Sequence, residues 1–309
     1  MTFKEKLINN KEKIMIALLV KMLIILMIPL AWNFHLGLKD TEEHQIVEDA
    51  PEDFIPIFAN IHELQGLEQI KMYVFYVDEG AYVLEEELDL QKLANLDLSL
   101  NLRGQSPRVL ITHSHAQEGF EGGGNVKEVG RLLAEILVND FGISTVHDIA
   151  TYDIIEGELK REGAYERMEQ GVSAILEKHP SIEVIIDLHR DQAPEDVRLV
   201  QEIAGNDVAR LMFFNGISRR NVDGEPQDLN DLYNPYQMEN LALSLQLFLT
   251  ANERHPGLMR RNYIKAYRYS LHMVPRSVLV EVGGHTNTLE EAKNAMPILA
   301  NLLVEVLGP

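Results

Sequence analysis

Residues 108–118 read RVLITHSHAQE, and this stretch decides the fold. VLIT at 109–112 is a short, continuous apolar run and predicts a buried strand. It ends directly in His113, with His115 and Glu118 close behind. Beyond it the period changes to that of a helix, with Val126, Val129, Leu132, Leu133, Ile136 and Leu137 behind Asn125, a favourable N-cap. The spacing predicts further strands at 143–146, 183–189 (EVIIDLH) and 277–283 (SVLVEVG), with residues 207–214 a helix end or a strand. It predicts helices over 165–178, stopped near Pro180, over 235–253, broken by His255-Pro256-Gly257, and over 289–307. Strands alternating with helices imply an α/β fold with a mostly parallel sheet flanked by helices.

Three of these strands run into clusters able to hold a metal: THSHAQE after the first, DLHRD at the end of the second, VEVGGHTN at the end of the third. In open α/β sheets ligands bind outside the carboxyl ends of the strands, so three such ends can converge. His115 and Glu118 stand at H-x-x-E spacing, and His189 arrives from another strand. Two histidines and a glutamate, with a fourth position left for water, form a known catalytic zinc set. Zinc would bring the pKa of that water near neutrality. A separate carboxylate must then move protons, and Glu281 is the candidate. His113 is a rival to His115 as first ligand, and the two remain open at this level. Arg190 could hold a substrate carboxylate or polarise a scissile carbonyl; it could equally pair with Asp191. Asp187 and Asp191 also read as surface partners of Arg190, and His285 as a rim residue. The glycines of EGGGN at 121–125 lack the Gly-Lys-Ser/Thr ending of a phosphate loop and read as a flexible connection before a capped helix.

Composition narrows the chemistry. The 309 residues contain no cysteine, so thiolate metal sites and disulfides are excluded and any metal must be held by His, Asp or Glu. The formal net charge of −20 argues against a nucleic-acid partner. It also argues against electrostatic attachment to anionic lipid, so attachment needs an apolar anchor.

Such an anchor is present. Residues 14–32, IMIALLVKMLIILMIPLAW, carry one charge, Lys21, and are long enough to span a bilayer as a helix. Lys4, Lys6, Lys11 and Lys13 outnumber the acids before it, and Asp40, Glu42, Glu43, Glu48, Asp49, Glu52 and Asp53 follow it. The positive-inside rule predicts a single-pass protein of the cell membrane: a cytoplasmic tail at 1–13, a transmembrane anchor at 14–36, and everything after it extracytoplasmic. A cleaved signal peptide would have a shorter apolar core and a small-residue cleavage site. Residues 37–105 are acidic and weakly patterned and read as a stalk with local helix, leaving 106–309 as the catalytic domain.

The motifs taken together resemble the stage II sporulation protein P family. VLITHSHAQEGF (109–120), IIDLHRDQ (185–192), HPGLMRRNY (255–263) and LVEVGGHTNTLEEA (279–292) are similar to four of its segments, in order. The resemblance covers about residues 106–307. It implies a twisted sheet of the amidase 3 type, one zinc ion, and cleavage between N-acetylmuramic acid and L-alanine in peptidoglycan. It also implies cutting of peptide cross-links, action during engulfment in sporulation, and stage II sporulation proteins D and M as partners. Carried over residue by residue, it offers His113, His115, Glu118, His189 and Glu281. Gly119 stands where the family usually has a hydroxyl residue, and YRYSLHM at 267–273 replaces a YNQ-like segment. Two other readings remain: a zinc carboxypeptidase-like peptidase, which shares the H-x-x-E, distant His and late Glu, and an inactive wall-binding module.

Overall fold

A computed structural model describes residues 67–308. The anticipated tail and anchor, and the first part of the anticipated stalk, lie outside the described residues. Among the described residues no helix is long and apolar enough to cross a membrane.

A seven-stranded sheet organises the fold. Its strands are β1 (Phe75–Val77), β2 (Gly104–Thr112), β3 (Ile143–His147), β4 (Val184–Asp191), β5 (Leu211–Gly216), β6 (Asn262–Lys265) and β7 (Arg276–Gly284). They lie in the order β1-β6-β5-β7-β4-β2-β3. Every neighbouring pair is parallel except β5 and β7, so two parallel blocks meet at one antiparallel seam. Among the described residues six α-helices accompany it: α1 (Leu67–Val74), α2 (Leu90–Asn95), α3 (Val126–Asn139), α4 (Ala164–Lys178), α5 (Gln237–Arg254) and α6 (Leu289–Leu307). The expected mostly parallel sheet flanked by helices is the architecture found. Residues 207–214 resolve as strand: they close a hairpin of Val200–Ile203 with Asn206–Ala209 and run on into β5.

Side chains alternate across a strand, so each strand feeds two layers. Val109 and Ile111, Val184, Ile186 and Leu188, and Val278, Val280 and Val282 enter the main core, together with buried residues of α3, α5 and α6. The opposite face carries Leu110 and Ile185, packed with Met168 and Val172 of α4. α3 shows how the sequence specifies one element. Asn125 accepts a hydrogen bond from the Lys127 N–H at 3.1 Å. Val126, Val129, Leu133 and Leu137 recur on one buried face, each contributing up to about 1.5–3 kcal/mol. Gly142, at φ 67°, supplies the left-handed turn after the helix and donates its N–H to the Val138 carbonyl.

The described part of the anticipated stalk is integrated into this body. β1 extends the sheet as its edge strand. Leu88, Leu90, Leu93, Leu98 and Leu102 are buried in the main core. Asp89 caps α2 by accepting from the Gln91 and Lys92 N–H groups. The Leu100 N–H donates to the Leu307 carbonyl at 2.7 Å, tying this segment to the end of α6. The leucines alternate with acids because one side of the segment faces the core and the other faces water.

Candidate metal centre

The site forms where β2, β4 and β7 end. β4 places Asp187, His189 and Asp191 on one face, two residues apart. Glu281 of β7 is the register partner of His189, so its carboxyl group lies beside that imidazole on the same face. The segment leaving β2 turns at once, with the Glu118 N–H donating to the His115 carbonyl at 3.2 Å. That turn directs His115 and Glu118 back over the sheet.

His115, Glu118 and His189 each offer a ligand atom, all within 4.8 Å of one another. Glu118 Oε1 lies 3.4 Å from His115 Nδ1, and its Oε2 lies 3.2 Å from His189 Nδ1. His189 Nε2 lies 2.8 Å from Asp187 Oδ1 and 2.9 Å from Ser114 Oγ. Asp187 is fully buried. Its Oδ1 also accepts the Ser114 N–H at 3.0 Å, and its Oδ2 accepts the Ser270 hydroxyl at 2.8 Å.

Electrostatics follow from this packing. Burial opposes ionisation of Glu118, but His189 and His115 outweigh it and hold the carboxyl well below its usual range. Burial likewise opposes charge on His189, but Asp187 and Glu118 raise its pKa well above the ordinary histidine value. The cluster thus favours one positive charge between carboxylates, which is what a bound cation would supply in place of a proton. Burial, reinforced by Asp191, pushes Glu281 up to about 8. Glu281 Oε2 is buried with no hydrogen-bond partner. An orphaned acceptor beside a two-histidine, one-glutamate set fits a site completed by a metal and a water.

The other anticipated residues fall elsewhere. His113 is fully buried and lies on the opposite face, under α3. Its Nδ1 meets the Leu188 carbonyl at 2.7 Å and its Nε2 meets His147 Nε2 at 2.9 Å. The structure does not bring it to the other three. Gly130 of α3 makes room for it, since a Cβ there would lie 2.7 Å from the His113 ring. Arg190 turns away from His189 along the strand. It donates to the Gly119 carbonyl from Nε at 3.0 Å and to the Asp191 carbonyl from Nη1 at 3.3 Å, bracing the loop that carries Glu118. Its backbone N–H donates to Glu118 Oε2 at 3.1 Å. Asp191 pairs with the buried Arg260 at 2.7 Å, not with the Arg190 side chain. Asp187 is no surface partner of Arg190: it is the inner support of His189. His285 lies at the rim, 3.4 Å from Glu195.

The sequence model of the family described as stage II sporulation protein P matches residues 40–304. The stage II sporulation protein P of Bacillus subtilis (strain 168) is 24% identical over 215 residues, 66% of this chain and 47% of that protein. The chain therefore spans about half the length of the curated relative it matches. Two solved structures of similar outline are N-acetylmuramoyl-L-alanine amidases. AmiC2 of Nostoc punctiforme is 19% identical, covering 66% of this chain and 97% of its own at a TM-score of 0.40. Ami1 from Mycobacterium smegmatis is 12% identical, covering 67% and 98% at 0.42. With a family match that extends over most of its length, and with all four quoted motifs inside it, the chain belongs to the stage II sporulation protein P family.

Proposed function

We propose that this chain is a zinc-dependent peptidoglycan hydrolase that cuts the amide bond between N-acetylmuramic acid and L-alanine during sporulation. It is held at the cell membrane by residues 14–36, with a cytoplasmic tail at 1–13 and its catalytic domain outside. Family membership supports the substrate and the setting. One observation carries the chemistry: ligand atoms of His115, Glu118 and His189 gather within 4.8 Å, with Glu281 in register beside His189.

His115, Glu118 and His189 would hold the zinc, which supplies Lewis acidity and makes a water nucleophilic near neutral pH. Asp187 holds the Nε2 side of His189, so that its Nδ1 faces the cluster. A cation held by the neighbouring ligands would favour the ionised form of Glu281 against the burial that raises it; its unpartnered Oε2 would then accept a proton and pass it to the leaving nitrogen. Arg190 keeps the Glu118 loop in place through the Gly119 carbonyl. Stage II sporulation proteins D and M are the partners proposed with this role, and cutting of peptide cross-links a second activity of the site.

The full chain, incubated with purified peptidoglycan and zinc, should release stem peptides and leave muramic acid unsubstituted, as read by mass analysis. Chelation should stop the release. Loss of a single terminal amino acid from the stems would mark a carboxypeptidase and overturn the assigned bond. Binding of the wall without any cleavage, zinc present, would leave only a wall-binding module.

A further inference from the structure

Between β3 and α4 the chain makes a short hairpin, Ile154–Ile155 paired with Glu158–Leu159. Glu156 and Gly157 turn it at φ 53° and 84°, the two positive angles of a tight two-residue hairpin turn. The base of this hairpin is tied to the support of the metal cluster. Asp153, directly before it, is fully buried, and its Oδ2 accepts the Gln117 N–H at 3.1 Å, in the turn that carries His115 and Glu118. The Asp153 carbonyl accepts the Lys160 N–H at 2.7 Å, which closes the hairpin. From α4, Arg167 donates to the carbonyls of Tyr152 and Lys160, both at 2.6 Å. The next residue, Arg161, is thereby set beside the cluster.

Its contacts do not account for this placement. Among the described residues its one ion pair is with Glu118 Oε1, at 3.8 Å. That distance is beyond hydrogen-bond reach, and Glu118 already has His115 and His189 closer, at 3.4 and 3.2 Å. The Arg161 side chain is 45% exposed, so the pair is screened and contributes little to stability. The other arginines near the cluster are held inward, Arg190 by two backbone carbonyls and Arg260 by Asp191. Arg161 is the one that opens to solvent while its backbone is fixed on both sides.

We propose that Arg161 is a specificity-determining residue of this site, whose guanidinium receives the free carboxylate on the second residue of the stem peptide being released. This rests on the proposed activity. The ligand atoms lie within 4.8 Å of one another and the guanidinium 3.8 Å from one of them. Two extended residues span about 7 Å, so the second residue after a bond held at the cluster comes within reach. A stem that begins with L-alanine and continues through the γ-carboxyl of D-glutamate carries its free α-carboxylate there. A guanidinium grips a carboxylate through paired N–H donors. The carboxylate-holding role that the sequence offers to Arg190 thus passes to a residue outside the four motifs.

The test uses the full chain and two soluble probes, N-acetylmuramoyl-L-alanyl-D-glutamate and its α-carboxamide. With zinc, the wild type should show a KM about 10-fold lower for the carboxylate probe. Arg161→Gln should raise that KM about 10-fold, to the value for the carboxamide, and leave kcat for both probes unchanged. Arg161→Lys should keep part of the preference. An arginine that only steadied Glu118 would behave otherwise: its loss would weaken zinc binding, read by competition with a chromophoric chelator, and would slow both probes alike. Here zinc affinity of Arg161→Gln should equal or exceed that of the wild type, since a positive charge has left the neighbourhood of a cation. Equal KM values for the two probes in the wild type would overturn the assignment, as would a preference that survives in Arg161→Gln. If the zinc-loaded wild type cuts neither probe, equilibrium binding of the same two probes decides: tighter binding of the carboxylate, lost in Arg161→Gln, upholds Arg161, and equal binding or none overturns it. Peptide release from whole peptidoglycan then reports separately on the proposed activity.

Discussion

Asp187 Oδ1 lies 2.8 Å from His189 Nε2, and the other nitrogen of that imidazole, Nδ1, faces Glu118. A carboxylate behind a ligating histidine fixes its ring and raises its basicity. Asp187→Asn keeps the shape and loses the charge. It should weaken zinc affinity of the full chain by about 10- to 100-fold, measured by competition with a chromophoric chelator. Affinity equal to wild type would show that Asp187 plays no part in orienting the ligand.

Glu281→Gln separates holding the metal from using it. The amide fills the same space beside His189 but cannot take up a proton. Peptide release should fall by at least about 100-fold, while zinc content stays at the wild-type level. Parallel loss of zinc and activity would instead make Glu281 part of the metal's own ligand set.

Much of this was legible in the sequence because strands keep a strict parity. Val109, Ile111 and then His113 point one way, and Leu110, Thr112 and Ser114 the other. Val109 and Ile111 are the apolar core face, so the same parity carried two residues further sets His113 under α3. It likewise puts Asp187 on the side of His189, a sign of its role that pairing it with Arg190 overlooked. His115 and Glu118 lie past the end of β2, where parity lapses, and only the turn itself decides their direction. The helices α3, α4, α5 and α6 were legible from their apolar spacing, and α3 also from its Asn125 cap. Residues 67–105 were less so, because the three residues of β1 are too few to show a period, and their pairing with β6 is nearly 190 positions distant.

Gly130 tests the packing under α3. A Cβ added there would lie 2.7 Å from His113 Cε1 and Nε2 and 2.9 Å from His147 Nε2. Gly130→Ala would gain about 1 kcal/mol of helix propensity. Displacing the buried His113 ring and the half-buried His147 ring should cost about 1–3 kcal/mol, more than the gain. The variant should therefore unfold at lower denaturant concentration than wild type. A more stable Gly130→Ala would mean that His113 and His147 can move apart freely.

His113 also makes stability depend on pH. Burial, the largest influence, lowers its pKa from an ordinary 6.5 to about 4, although the Leu188 carbonyl pulls the other way. The ring is therefore neutral in the fold over a range where the unfolded chain takes up a proton. Its Nδ1–H donates to Leu188, which leaves Nε2 to accept from His147. Between pH 6.5 and 4 the unfolded state binds more protons, so stability rises with pH across that window. The contribution is complete above 6.5, falls as the solution is acidified, and is gone by about pH 4. It amounts to no more than about 3 kcal/mol. Other groups titrate in the same range with the opposite sign: His189, raised by Asp187 and Glu118, favours the folded state at low pH. The informative quantity is thus the difference between wild type and His113→Asn, whose amide can still donate to Leu188 and cannot titrate. Measured by urea unfolding in chelator from pH 7.5 to 4.5, the wild type should lose more stability than the variant on acidification. Parallel curves would show that His113 titrates alike in the folded and unfolded states, which the enclosure of its ring between Leu188, His147 and Gly130 does not allow.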